Sequence, residues 1–210
     1  MTQLKFNQAG KKFSARWIFR KVNETFRTGE MIAVTGPNGS GKSTLLMMAA
    51  GFISPDEGFV EWIDDNKKIS IDDAYRILTF ASPYSELMEE FSPDELLRFY
   101  QRFKPMNSGY SVKSALDYSG IGEYAFTKIK FLSSGMKQRL KLVLALLFES
   151  KIVLLDEPFS HIDKPGEEWV IEQMKSSSMN RIIFIASNQK ERETFLCNRQ
   201  LEIEKFPSGK

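Results

Sequence analysis

With 210 residues the chain can form one well-buried domain with a small lobe but not two large domains. Its 29 Lys and Arg against 27 Asp and Glu leave a net charge of +2, a mixed-charge surface that gives no sign of a nucleic-acid partner. One cysteine, Cys197, and one histidine, His161, exclude an internal disulfide and a Cys/His metal cluster, so the chain reads as cytoplasmic.

The N-terminal stretch MTQLKFNQAGKKF lacks the long apolar core of a signal peptide. The longest apolar run, Leu142–Phe148, has seven residues, far short of the ~20 that span a bilayer. Any membrane role therefore has to come through another polypeptide. The first forty residues read as short strands, ending in the apolar Met31–Thr35, which breaks at Gly36. From Lys42 to about Ala50 the pattern is helical. Between them, Gly36-Pro37-Asn38-Gly39-Ser40-Gly41-Lys42-Ser43-Thr44 matches G-x-x-x-x-G-K-[ST]. Glycines let successive backbone N–H groups turn inward around an anion, and the following helix points its positive end at the same place. Lys42 can then reach terminal phosphates, and the Ser43 hydroxyl can ligate Mg²⁺.

Pro55-Asp56-Glu57-Gly58 reads as the turn of an edge hairpin, and Arg76–Phe80 as a further strand. From about 85 to 130 the character becomes helical. Ser92-Pro93-Asp94-Glu95 combines an N-cap, a first-position Pro and a third-position Glu, with Leu96, Leu97, Tyr100 and Phe103 following at helical spacing. A second helix is expected over Ser111–Tyr118. Leu132-Ser133-Ser134-Gly135-Met136-Lys137-Gln138-Arg139 then opens a helix running to Phe148. Ser133–Gly135 can cap it or form a second anion site at its N-terminus. The strand Ile152–Leu155 runs into Asp156 and Glu157, which by themselves suit either a helix cap or a Mg²⁺ ligand followed by a general base. Arg181–Ala186 and Leu201–Glu204 complete the strands. Alternating strands and helices predict a mostly parallel sheet with helices on both faces.

The order of these motifs closely resembles the ATP-binding cassette (ABC) family, over essentially the whole chain. The resemblance implies an α/β P-loop NTPase fold in one domain, 1–210. It would have a mostly parallel core sheet, an N-terminal antiparallel β subdomain and a helical subdomain inserted at about 85–130. It further implies that Gly36–Thr44 binds ATP, that Ser43 and Asp156 hold Mg²⁺, and that Lys42 and Glu157 act in hydrolysis. The family's LSGGQ loop reads LSSGM here, and Ser133 and Gly135 occupy its phosphate-contacting positions. Two such cassettes pair head to tail, so Ser133 and Gly135 are expected to meet the nucleotide of a second cassette. Asp163 matches the family's D-loop aspartate. Phe13, 23 positions before Gly36, stands where the family stacks an aromatic ring on adenine, with Trp17 as a rival and core packing open for either.

Two landmarks of the family are absent. Ser82 or Pro83 stands where it has a Mg²⁺-ligating glutamine, and Asn188 where it has a γ-phosphate histidine. Asn188 offers an amide donor and an acceptor but no titration near neutral pH. Two readings stay open: slow turnover through Glu157 and Asn188, or ATP-driven dimer closure with hydrolysis by a better-equipped partner cassette. The function implied is the ATP-hydrolysing subunit of a transporter, peripheral on the inner face of the cell membrane through an integral membrane subunit. Compact exporter cassettes, including the ATPase of the haem exporter of cytochrome c maturation, share the short length and the DEPFSHID-type run. Tyr84, Leu87, Met88 and Phe91 are expected either to help form the docking groove or to pack the helical lobe. A soluble cassette acting on nucleic acid or ribosomes, and a small-molecule P-loop kinase, are the rival classes.

Overall fold

Two sheets organise the chain, which the computed structural model describes over residues 1–187 and 195–209. The strands are β1 (Gln3–Phe13), β2 (Arg16–Arg27), β3 (Met31–Thr35), β4 (Glu57–Asp64), β5 (Lys67–Ile69), β6 (Leu78–Ala81), β7 (Ile152–Asp156), β8 (Ile182–Ala186) and β9 (Arg199–Glu202). The helices are α1 (Lys42–Ala49), α2 (Pro93–Tyr100), α3 (Val112–Tyr118), α4 (Ser134–Leu146) and α5 (Lys164–Ser177). One sheet is antiparallel, in the order β2-β1-β4-β5; the other runs β6-β7-β8-β3-β9 with every pairing parallel.

β1 and β2 are single long strands where short ones were expected. Their register shifts between Phe6 and Ala9, Ala9 and Lys11, and Lys11 and Lys12, with Gln8 and Lys21 at positive φ. Each bulge resets the inside-outside alternation, so one strand reads in sequence as fragments. The edge hairpin also forms elsewhere than at Pro55–Gly58. Its two-residue turn is Asp65-Asn66, both left-handed at φ 46° and 64°, while Glu57 begins a strand that pairs with β1. α5 was not foreseen, because Pro165 and Gly166 interrupt its pattern; its first turn is nevertheless closed by the Asp163 carboxylate, which accepts from the Gly166 N–H at 3.2 Å.

Neighbouring residues of the parallel strands face different cores. Ile152, Leu154, Ile182 and Phe184 pack with α1 and with the antiparallel sheet through Leu4, Phe6 and Phe26. Val153, Leu155, Ile183 and Ile185 pack with α2–α5. The ring of Phe184 meets that of Phe26 edge-on at 4.7 Å, joining the two sheets. The expected capping box closes α2: Glu95 N donates to Ser92 Oγ at 3.3 Å, and Ser92 N to Glu95 Oε2 at 2.8 Å. The middle layer is thus one parallel sheet, and its strands all end at the same edge, where loops can carry a site.

Candidate functional site

The β3 ladder ends at Thr35, and the chain then folds back through Gly36–Gly41 into α1. Two glycines explain why this loop tolerates little else. Gly36 has φ 150°, and a Cβ there would lie 2.6 Å from Ser40 Oγ; Gly41 has φ 106°, and a Cβ would lie 2.3 Å from Ile18 Cγ2 on β2. Gly41 is also the N-cap of α1 and supplies no side-chain acceptor, so the first-turn amides face the loop without a cap. The Lys42 ammonium closes over the loop, donating to Gly36 O at 2.9 Å and Pro37 O at 3.1 Å, with 6% of the residue exposed. Pro37, Asn38 and Gly39 form the outer bend. Beside it lies a cleft of about 190 Å³ lined by Arg16, Trp17, Ile18, Gly39, Ser40 and Glu204, among others.

β7 brings the acidic pair to the same edge. Asp156 lies opposite Ala186, which in turn lies opposite Val34, so one strand separates it from the strand that feeds the loop. It is buried, hydrogen bonded to the Ser43 side chain, and its Oδ1 has no hydrogen-bond partner. Burial raises its pKa above the ordinary aspartate value, against the lowering pull of Ser43 and Lys42. An anionic oxygen without a donor, next to a hydroxyl and an ammonium, is an arrangement that a hard divalent cation satisfies. Ser43 and Asp156 therefore fit Mg²⁺. Glu157 follows with φ 47°, a left-handed conformation that a residue with a Cβ adopts only under constraint. Its N–H donates to Ala186 O at 2.7 Å, and its carbonyl accepts from Ser160 N at 3.1 Å.

Ser133 and Gly135 belong to a separate cluster. Ser133 is the N-cap of α4, its Oγ accepting from Met136 N at 3.2 Å, and it is exposed. A Cβ on Gly135 would lie 2.6 Å from the His161 carbonyl, so the loop that opens α4 packs backbone to backbone on the loop after Glu157. The hydrogen bonds of Ser133 do not reach Gly36–Thr44 of the same chain. Three residues of α4 that the sequence reading did not assign make the long-range connections. Gln138 Nε2 donates to the carbonyls of Glu157 and Pro158, each at 3.4 Å. Arg139 pairs with Asp163 and donates to Ser119 O at 2.6 Å, and its guanidinium holds Asp163 below the usual carboxylate range. Lys141 Nζ donates to Pro83 O at 2.6 Å and Ser82 O at 3.2 Å. The basic run after Ser133–Gly135 was visible; its partners, distant in sequence, were not.

Phe13, 51% exposed as a residue, ends β1 with the Lys11 ammonium 5.8 Å from its ring centroid. Trp17 packs on Gly10 and lies under the Arg20 guanidinium, 4.3 Å from the ring centroid. Ser82 is buried beyond Ala81, the register partner of Leu155, and so stands beside Asp156. Asn188 lies outside the described residues. Leu87 and Met88 line an apolar groove between β6 and α2; Tyr84 borders the adjoining cleft; Phe91 packs into the helical lobe, edge-on to Phe99 at 5.8 Å. Among the described residues no helix is long and apolar enough to cross a membrane.

Comparison with known proteins finds relatives in both sequence and fold. A family model described as ABC transporter matches residues 19–160. The cytochrome c biogenesis ATP-binding export protein CcmA of Sodalis glossinidius is 31% identical over 156 residues, 74% of each chain. The zinc import ATP-binding protein ZnuC of a Chelativorans species is 36% identical over 170 residues, 78% of this chain and 54% of its own. Among solved structures, the ATP-binding cassette MJ0796, a dimer in a post-hydrolysis state bound to ADP and Pi, superposes with a TM-score of 0.79. It is 22% identical, over 96% of this chain and 94% of that one.

Proposed function

We propose a function from the premise that the chain belongs to the ABC transporter family: it is a transporter's ATP-binding and ATP-hydrolysing subunit, and it drives a separate membrane subunit. The observation that carries the chemistry is the contact between Ser43, at the start of α1, and the buried Asp156, whose Oδ1 has no partner beside the residue that would activate water. The amides of Gly36–Thr44 bind the ATP phosphates, and Lys42 exchanges its loop carbonyls for terminal phosphate oxygens. Ser43 and Asp156 would hold Mg²⁺, which when bound neutralises charge developing on the phosphoryl oxygens. Glu157 accepts a proton from the attacking water, and Asn188 supplies an amide to the terminal phosphate. Phe13, the more exposed of the two candidate rings, stacks on the base.

Ser133 and Gly135 contact the nucleotide of a second cassette, in a homodimer or a heterodimer. The dimeric form of the ADP-bound cassette of similar fold supports this pairing. An integral membrane subunit docks on the groove beside α2 and keeps this chain peripheral on the cytoplasmic face. Curated relatives named for export and for import match alike. The test is hydrolysis itself. Mg-dependent ATPase activity is expected from the purified chain and is expected to vanish in Glu157→Gln with ATP binding kept. Equal activity in the two proteins would sink the assignment of Glu157.

A further inference from the structure

Parallel pairing of β9 with β3, Glu202 opposite Thr35, makes the chain leave β9 at the same edge as Gly36–Thr44. The turn that follows, Ile203–Lys205, lies against that loop: a Cβ on Gly36 would come within 3.7 Å of Ile203 Cβ. Further on, Gly209 forms a reciprocal antiparallel bridge with Trp17, near the start of β2. The Trp17 N–H donates to Gly209 O at 2.9 Å, and the Gly209 N–H donates to Trp17 O at 3.1 Å. The stretch between is thus held at one end by β9 and at the other by β2. Through Ile203, Glu204 and Ser208 it walls the cleft of about 190 Å³ beside Gly39 and Ser40.

That cleft gathers polar groups with nothing to bond. Ser40, on the loop wall, buries an Oγ without a hydrogen-bond partner. Glu204 and Arg16 both stand in the lining, yet their side chains pair neither with each other nor with any other described residue. The neighbouring Lys205 is taken by Glu202 at 3.0 Å. A free carboxylate is an odd companion for a phosphate-binding loop, because it repels phosphate and, as an acceptor only, needs a donor. The sugar of a nucleotide supplies donors. Its two hydroxyls are adjacent, and one carboxylate can accept from them, as acidic residues do at dinucleotide sites. The space agrees, since about 190 Å³ falls below the roughly 300 Å³ at which pockets begin to enclose a whole drug-sized ligand. Connectivity favours the sugar over the base. The sugar adjoins the phosphates, whereas the base lies beyond it, and the exposed ring of Phe13 already stands for the base.

We propose that Glu204 accepts hydrogen bonds from the ribose hydroxyls of ATP, so that the stretch after β9 makes this cassette selective for ribonucleotides. The inference rests on the reading of Gly36–Thr44 as an ATP site and adds a sugar contact to it.

The test is calorimetric titration of the purified chain without Mg²⁺, comparing ATP with 2′-deoxy-ATP and 3′-deoxy-ATP. Wild type is expected to bind ATP about tenfold more tightly than either analogue, the scale of one hydrogen bond to a charged group. In Glu204→Ala the three nucleotides should bind about equally, because ATP alone loses affinity. Lys205→Ala, which removes a neighbouring charge from the same turn, should keep the wild-type preference. Circular-dichroism melts would establish that both variants fold. Equal binding of the three by wild type, or an unchanged preference in Glu204→Ala, overturns the inference and leaves the ATP site standing. So does a uniform rise of all three affinities in Glu204→Ala, the mark of a carboxylate that only repels phosphate. Loss of preference for ATP over inosine triphosphate in that variant, with the deoxy preference kept, would place the carboxylate at the base and overturn the inference too. Binding of no nucleotide by wild type overturns the ATP site itself, and the sugar contact with it.

Discussion

At the scale of single residues, the candidate site holds groups that are costly to the fold. Asp156 carries a buried, unpartnered oxygen, and burial raises its pKa. Without Mg²⁺ and nucleotide, Asp156→Asn is therefore expected to melt no lower than the parent and to gain on the order of 1 kcal/mol. The same variant should lose Mg-dependent hydrolysis. A marked drop in its melting temperature would show that the carboxylate contributes to folding instead. Lys104 gives a pH test. Burial brings its ammonium down to about 8 from an ordinary 10.5, with Arg181 adding to the effect. Between those values the unfolded chain binds the proton that the folded chain has released, so this residue adds stability as pH rises through the window. Denaturant titrations of wild type and Lys104→Met across it should diverge upward for wild type, and parallel curves would refute the assignment. Gly36–Thr44 and the Asp156-Glu157 pair were legible because their chemistry needs adjacent residues. The contact between Ser43 and Asp156 spans the fold: no local pattern shows it, and only the family resemblance set both residues on one Mg²⁺.

At the scale of elements, α4 is the connector. Its first residues pack on the loop after Glu157, Gln138 and Arg139 hold that loop, and Lys141 reaches the loop beside Asp156. Gly135→Ala would put a methyl group 2.6 Å from the His161 carbonyl, backbone that cannot step aside alone. The expected outcome is ATP binding close to wild type with hydrolysis down on the order of 100-fold, the scale of an ångström-sized misplacement. Unchanged turnover would mean that the loop accommodates the methyl group. The elements themselves were readable where a cap and a periodicity coincided, as at Ser92. They were not readable at β1 and β2, where bulges reset the alternation, nor at α5, where Pro165 and Gly166 hid a helix that Asp163 caps.

For the whole molecule, the parallel sheet is the common wall of two cores. Phe184 faces the antiparallel sheet and its neighbour Ile185 the helical lobe, so neither core can be lost without exposing the other face of the same strand. Phe184→Ala is expected to cost about 3–5 kcal/mol and to lower a single cooperative transition. Two separated transitions by near-ultraviolet and far-ultraviolet dichroism would show that the lobes melt apart. An α/β sheet with helices on both faces followed from alternating strands and helices. The order β6-β7-β8-β3-β9 did not, because it is decided by which crossovers pack and no single segment carries that information.

Glu157 sits at φ 47°, where glycine rests at ease and every other residue is held by its surroundings, at a cost of roughly 1–2 kcal/mol. Mutation to glycine at this position would relieve that backbone strain and, on the role proposed for Glu157, remove the group that activates water. A lineage relieved of the need to split ATP would drift toward a sturdier cassette that still grips the nucleotide.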